Sequence, residues 1–234
     1  MSSMLSLLTL AICFITIISL NYFFGKSGLL TYSAVVTIAA NIQVLKLTKY
    51  SFFPHEVALG TVIFATIFAV DNILMQYYGE KIAKKSIYLS FAAYLFFVII
   101  MQIAVAHPCV NNVGCTNYAN ELSIIFSPGI KLFISSVLAY FVGQFCDIYL
   151  FKMFSKIKGL SIKSFFAMAI SAFVDNAVFS ALAWIVFSKH SISWNELWNT
   201  YIINLYVLRL IVVAMCVPFM KVVEMIGGNR VRKF

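Results

Sequence analysis

Charge is scarce in this chain, and negative charge scarcest. Only 8 of its 234 residues are Asp or Glu, and charged residues of both signs make up 11%, against about 25% in a soluble globular domain. Hydrophobic residues make up 62%, and the mean hydropathy is +0.96. Too little polar surface exists to cover a water-facing exterior, which excludes a soluble enzyme or nucleic-acid module. Disorder needs the opposite composition. Common catalytic motifs are also missing. There is no G-x-S-x-G elbow, no H-E-x-x-H and no G-x-x-x-x-G-K-[ST] loop, each of which places a nucleophile, a metal or a phosphate. The G-x-G-D of an intramembrane aspartyl protease is absent too. No enzymatic activity, metal or cofactor is expected.

What is present is a series of long apolar runs. They lie at Met4–Phe24, Leu29–Tyr50, Val57–Tyr78, Ser86–Ala106, Ile130–Lys152, Ser164–Phe187 and Trp198–Val222. A helix needs about 20 apolar residues to cross a bilayer, and each run has that length. Membrane strands would show alternation in pieces of about 10 residues, which these runs do not. The expectation is a single polytopic all-α membrane domain over 1–234, with the bilayer as its main partner. The first run has no basic segment before it, and the next positive charge is Lys26; a cleaved signal peptide would carry one.

Basic residues outnumber acidic ones, 17 to 8. In a soluble chain that excess would point to nucleic acid, but no basic cluster carries interleaved aromatics, and nucleic acid is not expected as a partner. In a membrane protein the excess marks cytoplasmic loops. One set of loops carries four basic residues, Lys46, Lys49, Lys131 and Lys189. The other carries twelve: Lys26, Lys81, Lys84, Lys85, Lys152, Lys156, Lys158, Lys163, Lys221, Arg230, Arg232 and Lys233. The second set is expected in the cytoplasm, so seven spans put the N-terminus outside and the C-terminus inside.

Of five cysteines, Cys13, Cys146 and Cys216 fall in predicted helices, where cysteine packs as a small apolar residue. Cys109 and Cys115 lie in the longest loop, expected outside, where an oxidising medium allows a disulfide; a bonded pair and two free thiols both stay open. His55, His107 and His190 fall in loops on the same side and read as solvated residues.

Charge inside a bilayer costs about 2.5–3.5 kcal/mol per residue on insertion scales, so charges within spans carry the functional signal. The five glutamates, Glu56, Glu80, Glu121, Glu196 and Glu224, fall in loops or at helix ends. The three aspartates, Asp71, Asp147 and Asp175, fall inside spans, with Arg209 as the one basic residue deep in a span. Asn41, Asn72, Gln76, Gln144, Asn176 and Asn204 accompany them. Gln144 and Asp147 share a helix face, as do Asn72 and Gln76. Phe145-Cys146-Asp147 with Phe151 repeats in Phe173-Val174-Asp175 with Phe179, so two helices present an acid in the same way. Carboxylates beside amides and rings suit a flat polar solute with several N–H donors. They suit a bound proton or cation equally well.

Several ordered stretches resemble one known family. They are Gly25-Lys26-Ser27-Gly28-Leu29, Ala40-Asn41-Ile42-Gln43-Val44-Leu45-Lys46, Leu59-Gly60-Thr61, Tyr78-Gly79-Glu80-Lys81-Ile82-Ala83, Ser127-Pro128, Ala139-Tyr140 and Gln144-Phe145-Cys146-Asp147, followed by Asp175, Arg209 and Pro218. In that order they resemble the motifs of the queuosine precursor transporters, the VUT or YhhQ family, from about Gly25 to Val223. The chain departs from the family's D-I-L-x-E-x-Y-G, reading Asn72, Ile73, Leu74, Met75, Gln76, Tyr77, Tyr78, Gly79, with Asp71 one position early. Ala172 stands where a Gln is common, and Arg209 replaces a Lys.

The resemblance implies import of 7-deazaguanine bases, such as queuine or its cyano- or aminomethyl-bearing precursors, across a bacterial inner membrane for tRNA modification. It implies a compact six-helix core over 25–223, like the substrate-binding subunits of energy-coupling-factor importers, plus an extra first helix over 4–24. A binding subunit that needs a separate ATPase module is the alternative. Asp147, Gln144 and Asp175 are the expected base-recognition residues, with Asn41, Asn72 and Gln76 behind them, Asp71 nearby, and Arg209 as the partner of one aspartate. A homodimer is expected from the small size.

Overall fold

In the computed structural model, which describes residues 2–44, 46–50, 53, 56–110, 113–126, 130–186 and 193–227, the chain is almost entirely helical. In chain order the elements are α1 (Ser2–Gln43), the strands β1 (Leu47–Lys49) and β2 (Glu56–Ala58), α2 (Gly60–Tyr78), α3 (Glu80–Ala106), α4 (Val113–Phe126), α5 (Ile130–Met153), α6 (Leu160–Ala181), the short α7 (Trp194–Glu196) and α8 (Asn204–Gly227). π-helical stretches at Leu182–Val186 and Leu197–Ile203 extend α6 and lead into α8. Among the described residues six helices, α1, α2, α3, α5, α6 and α8, are long and apolar enough to cross a membrane.

The first two expected runs are one element, α1, broken in its middle. Gly25 has φ 55° and ψ −135°, a left-handed conformation that L side chains rarely take. The helix folds back there. A Cβ on Gly28 would stand 2.4 Å from the carbonyl oxygen of Leu20, and the hydroxyls of Ser6 and Tyr50 are 2.8 Å apart. Neither contact is possible in a straight helix, which rises 1.5 Å per residue. The limbs 2–24 and 26–43 therefore run antiparallel.

Helix coverage falls as hydropathy rises. α1 and α3 have the highest mean hydropathy, and only 6% of the apolar window of α3 is buried, whereas α2 has the lowest and is 72% buried. In lipid the most apolar helices gain nothing from leaving the acyl chains, so the less apolar ones collect inside. α2 packs against α1, α3, α5, α6 and α8 and is the axis of the bundle. Exposed Phe96, Ile99, Ile100 and Ile103 line the outer face of α3. The main core joins Phe14, Ile17, Leu29, Phe68, Ile73, Ile87, Met168 and Met220. Cys216 is buried within it, and Cys13 and Cys146 pack against it.

Several boundaries correct the sequence reading. The second run was expected helical to Tyr50 and the third from Val57. Instead Leu47–Lys49 and Glu56–Ala58 pair antiparallel, and Tyr50, Phe53 and Val57 cluster with Leu208 of α8. Those apolar residues cover an end of the bundle rather than lengthen a span. The segment between the fourth and fifth runs, read as a loop, holds the 14-residue α4 against α3. It is too short to span, and the Gln102 side-chain amide donates to the Phe126 carbonyl oxygen. Cys109, ahead of α4, and Cys115, in its first turn, are disulfide-bonded with Cα atoms 5.9 Å apart. Lys163, assigned to a loop, sits near the start of α6 and is only 9% exposed. Gly159, at φ 94°, lets that helix begin four residues earlier than Ser164. Lys163 is thus a second largely covered cation, at the end of a span rather than deep in one. His55, His190, Lys189, Pro128, Arg230, Arg232 and Lys233 lie outside the described residues.

The fold-back at Gly25 gives a direct test. Gly28→Leu is expected to destabilise the protein by about 1–3 kcal/mol through overpacking against Leu20. Thermal unfolding in detergent reads this as a lowered Tm, and an unchanged Tm would refute the close approach.

Candidate solute-binding site

The polar groups of the spans converge on the interior faces of α2, α5 and α6. Asp71, Asn72, Gln144 and Asp147 are all 0% exposed. Asp147 Oδ1 accepts a hydrogen bond from the Ser171 hydroxyl of α6 at 3.0 Å. Its Oδ2, both carboxylate oxygens of Asp71, and both side-chain amide atoms of Asn72 and of Gln144 have no hydrogen-bond partner among the described residues. Asn72 stands beside Asp147, and Asp71 and Asp147 are close enough for their charges to interact. Ser86 of α3 lies beside Asp71 without reaching hydrogen-bonding geometry. The Tyr140 hydroxyl of α5 faces Asp71, Ser90 and Thr37.

Orphaned polar groups at this density are rare in folded interiors, where more than about 90% are paired. Each costs about 1–3 kcal/mol when left unmade. Their spacing explains the convergence. Gln144 and Asp147 are three apart on α5, which aligns them, and Ser171 reaches across the α5–α6 seam. That seam is tight: a Cβ on Gly143 would lie 2.8 Å from the Cβ of Asp175. Tyr140 joins the cluster to a set of aromatic rings. Phe64 and Phe68 meet edge to face at 5.6 Å, Phe64 and Tyr140 at 6.1 Å, and Phe141 stacks on Phe145 at 6.1 Å.

Asp175 and Arg209 form a separate unit. Arg209 Nη1 donates to Asp175 Oδ2 and, at 3.4 Å, to the Ala172 carbonyl oxygen. The side chains are 19% and 5% exposed, respectively. A guanidinium can reach carboxylate and backbone together because its donors are splayed. Beside the pair, Asn176 donates to the Ile202 carbonyl oxygen at 2.8 Å, satisfying an acceptor in the π-helical stretch. The two F-x-D segments thus place their acids differently: Asp147 keeps one oxygen unpartnered and Asp175 is held by a cation.

Other expected residues lie apart. Asn41 is half-buried, donates to the Thr37 carbonyl oxygen at 2.8 Å and accepts from the Ser136 hydroxyl at 3.2 Å; it ties α1 to α5. Gln76 was placed on the face of Asn72, yet it is exposed near the end of α2 and accepts from Lys163, whose Nζ lies 4.6 Å from the Phe151 ring centroid. Asn204 is half-buried at the start of α8. Sequence reading missed the hydroxyls, Ser86, Ser90, Tyr140 and Ser171. Small polar residues inside apolar helices were the available signal, since hydroxyls in spans serve as hydrogen-bonding groups between helices.

Near the Gly25 turn an open cavity of about 670 Å³ is lined by Asn21, Tyr22, Lys26, Ile73, Tyr77 and Val223, among others. Binding clefts run from roughly 300 to 1,000 Å³. The carboxylates are not in it. Of its lining residues Ile73 is the one nearest in sequence to Asp71 and Asn72, and Tyr77 and Tyr78 place it at the C-terminal end of α2. The same end carries Lys152–Glu80 at 2.8 Å, Lys84–Glu80 at 2.7 Å and Ser161–Glu224 at 3.1 Å.

The comparisons with known proteins agree on one class. The sequence model of a family described as "Putative vitamin uptake transporter" matches residues 58–223. A protein of Bacillus subtilis (strain 168), named "Probable queuosine precursor transporter", is 27% identical over 201 residues, covering 84% of this chain and 83% of its own length. No solved structure matches.

The buried pair is open to a charge-deletion cycle. Arg209→Gln leaves Asp175 buried without its cation, which costs about 3–5 kcal/mol for a broken buried pair. The double variant Arg209→Gln/Asp175→Asn is expected to recover most of that loss in thermal unfolding. A double variant no more stable than Arg209→Gln would contradict the pairing.

Proposed function

The chain belongs to the vitamin uptake transporter family, and from that premise we propose that it imports queuosine precursors across a bacterial inner membrane. The solutes are 7-deazaguanine bases, such as queuine or its cyano- or aminomethyl-bearing precursors. The name of the Bacillus subtilis relative supports this choice. One observation carries it: Asp147 Oδ2 and the Gln144 amide are fully buried, lie on one face of α5 and have no hydrogen-bond partner among the described residues.

A guanine-like edge offers two adjacent N–H donors and a carbonyl. A carboxylate accepts two N–H bonds, and a primary amide donates to a carbonyl or ring nitrogen. Asp147 and Gln144 supply that complement, with Asn72 beside Asp147 as a further donor and acceptor. Asp175, held by Arg209, shapes the α6–α8 wall rather than accepting from the base. Phe64, Tyr140 and Phe141 give stacking faces. The cavity at the Gly25 end serves as a vestibule. With α1 crossing twice, seven segments span the bilayer, and the lysine-rich end that includes Lys26, Lys84 and Lys152 faces the cytoplasm. Residues 25–223 form the transport core, and the limb before them is an addition to it.

Asp147→Asn is expected to lower queuine uptake at least tenfold while the protein still reaches the membrane in normal amount. Queuine is expected to raise the Tm of the purified wild-type protein more than guanine or adenine does. Full uptake by Asp147→Asn would overturn the site, and no Tm response to any deazaguanine would overturn the solute class.

A further inference from the structure

We propose that the solute enters along the seam between the second limb of α1 and α5, and that the hydrogen bond between Asn41 and Ser136 closes this route at its outer end. The inference rests on the carrier reading and deepens it by naming the path to the Gln144–Asp147 face and the residues that guard it.

Three contacts fix how the two helices lie. The Tyr78 hydroxyl, at the end of α2, donates to Asn21 Oδ1 at 2.9 Å, beside the Gly25 turn from which the second limb starts. Glu80, two residues after Tyr78, is held at 2.8 Å by Lys152 in the last turn of α5. So α5 ends where the limb begins. Near the other ends of both, the Ser136 hydroxyl donates to Asn41 Oδ1 at 3.2 Å. The limb and α5 are therefore antiparallel, and Asn41 and Ser136 meet away from the lysine-rich end.

Helical spacing sets the levels beneath that bond. Every four residues descend about 6 Å and return to nearly the same face. From Asn41 the steps are Thr37 and then Ser33. From Ser136 they are Tyr140 and Gln144, with Asp147 one turn below Gly143 on the same face. Thr37 thus comes level with Tyr140, and Ser33 with Gln144. Asn41 and Ser136 are half-buried, and every step below them is buried. The stripe becomes drier as it descends to the site.

Hydroxyls in membrane helices also serve as ties between helices, but ties are paired. Here the Ser33 hydroxyl, the Tyr140 hydroxyl and both amide atoms of Gln144 have no hydrogen-bond partner among the described residues. The limb also packs closely elsewhere: α1 lies mainly on α2 and α3, and α5 mainly on α6. A ladder of unpaired donors and acceptors lets a donor-rich solute exchange bonds to water for bonds to protein one level at a time. The closing bond is easily opened, because it joins two neutral, half-buried side chains. The Asn41 amide nitrogen donates to the Thr37 carbonyl oxygen within its own helix at 2.8 Å. Opening therefore frees only Asn41 Oδ1 and the Ser136 hydroxyl, and both can bond an arriving solute.

The test uses the full-length protein in right-side-out membrane vesicles, a membrane-impermeant methanethiosulfonate that attaches a sulfonate to thiols, and queuine as the solute. Added mass and queuine uptake are read, with wild type and its own cysteines as the baseline. Ser136→Cys is expected to react from outside, to lose queuine uptake about tenfold once labelled, and to react several-fold more slowly when queuine is present. Leu138→Cys, two residues further along α5 and 43% exposed in the wild type, is expected to keep full uptake under the same treatment. Adding Asn41→Ala to Tyr140→Cys is expected to speed external labelling about fivefold, with no such change when it is added to Leu138→Cys. Where wild type takes up queuine, full uptake by labelled Ser136→Cys, or no labelling of it from outside, would overturn the route and leave the carrier reading standing. Labelling of Tyr140→Cys that ignores Asn41→Ala would overturn the gate. Absence of queuine uptake by wild type would overturn the carrier reading and the route with it.

Discussion

Everything in this bundle depends on the enclosure of α2. A helix surrounded by five others cannot turn a polar side chain toward lipid, and it has no water to turn it toward. Any polar group it carries must be matched by its neighbours or by something that visits. Asp71 and Asn72 are adjacent, so they point about 100° apart. On a peripheral helix one of them would face lipid. On α2 both are fully buried. The enclosure turns two ordinary residues into unpartnered groups, and it draws α5 and α6 close enough to add Asp147, Gln144 and Ser171.

The fold was legible in the sequence where hydropathy decides it, because a bilayer admits only segments whose backbone is satisfied internally. Long helices were therefore readable as long apolar runs. Legibility failed where apolar residues do something other than span. Tyr50 and Val57 extend the runs but pack on Leu208 as a cap. The helix α4 is too short to register as a span, and α6 starts early because Gly159 permits the turn. The break in α1 was legible as two runs, but not as a fold-back within one helix, since the close approach at Gly28 depends on tertiary packing.

The site was legible by a different rule. Charge in a span is expensive, so the three aspartates and Arg209 stood out without any knowledge of packing. Sequence could not divide them. Asp147 and Asp175 look alike in their F-x-D settings, and only the helix contacts assign Arg209 to the second. Gln76 shows the converse failure: the i,i+4 spacing with Asn72 was sound, but α2 ends at Tyr78 and its last turn opens toward Lys163. Spacing assigns a face, whereas burial depends on how far the neighbouring helices extend.

The polar ties also differ in strength along the bundle, and the difference bears on motion. Lys152 and Lys84 hold Glu80 from exposed positions, with 64% and 43% side-chain exposure, where ion pairs are worth about 0–1 kcal/mol. Arg209–Asp175 is largely removed from solvent, where breaking a pair costs several kcal/mol. Thermal energy can release the first kind readily and the second rarely. The end near Gly25 is thus cheap to loosen, and it is the end that holds the open cavity. The α6–α8 wall behind Asp175 is the stiff part. A carrier needs that asymmetry: a rigid surface to define the solute and a weakly held one to release it. Here the division falls between charges that were removed from solvent and charges that were not.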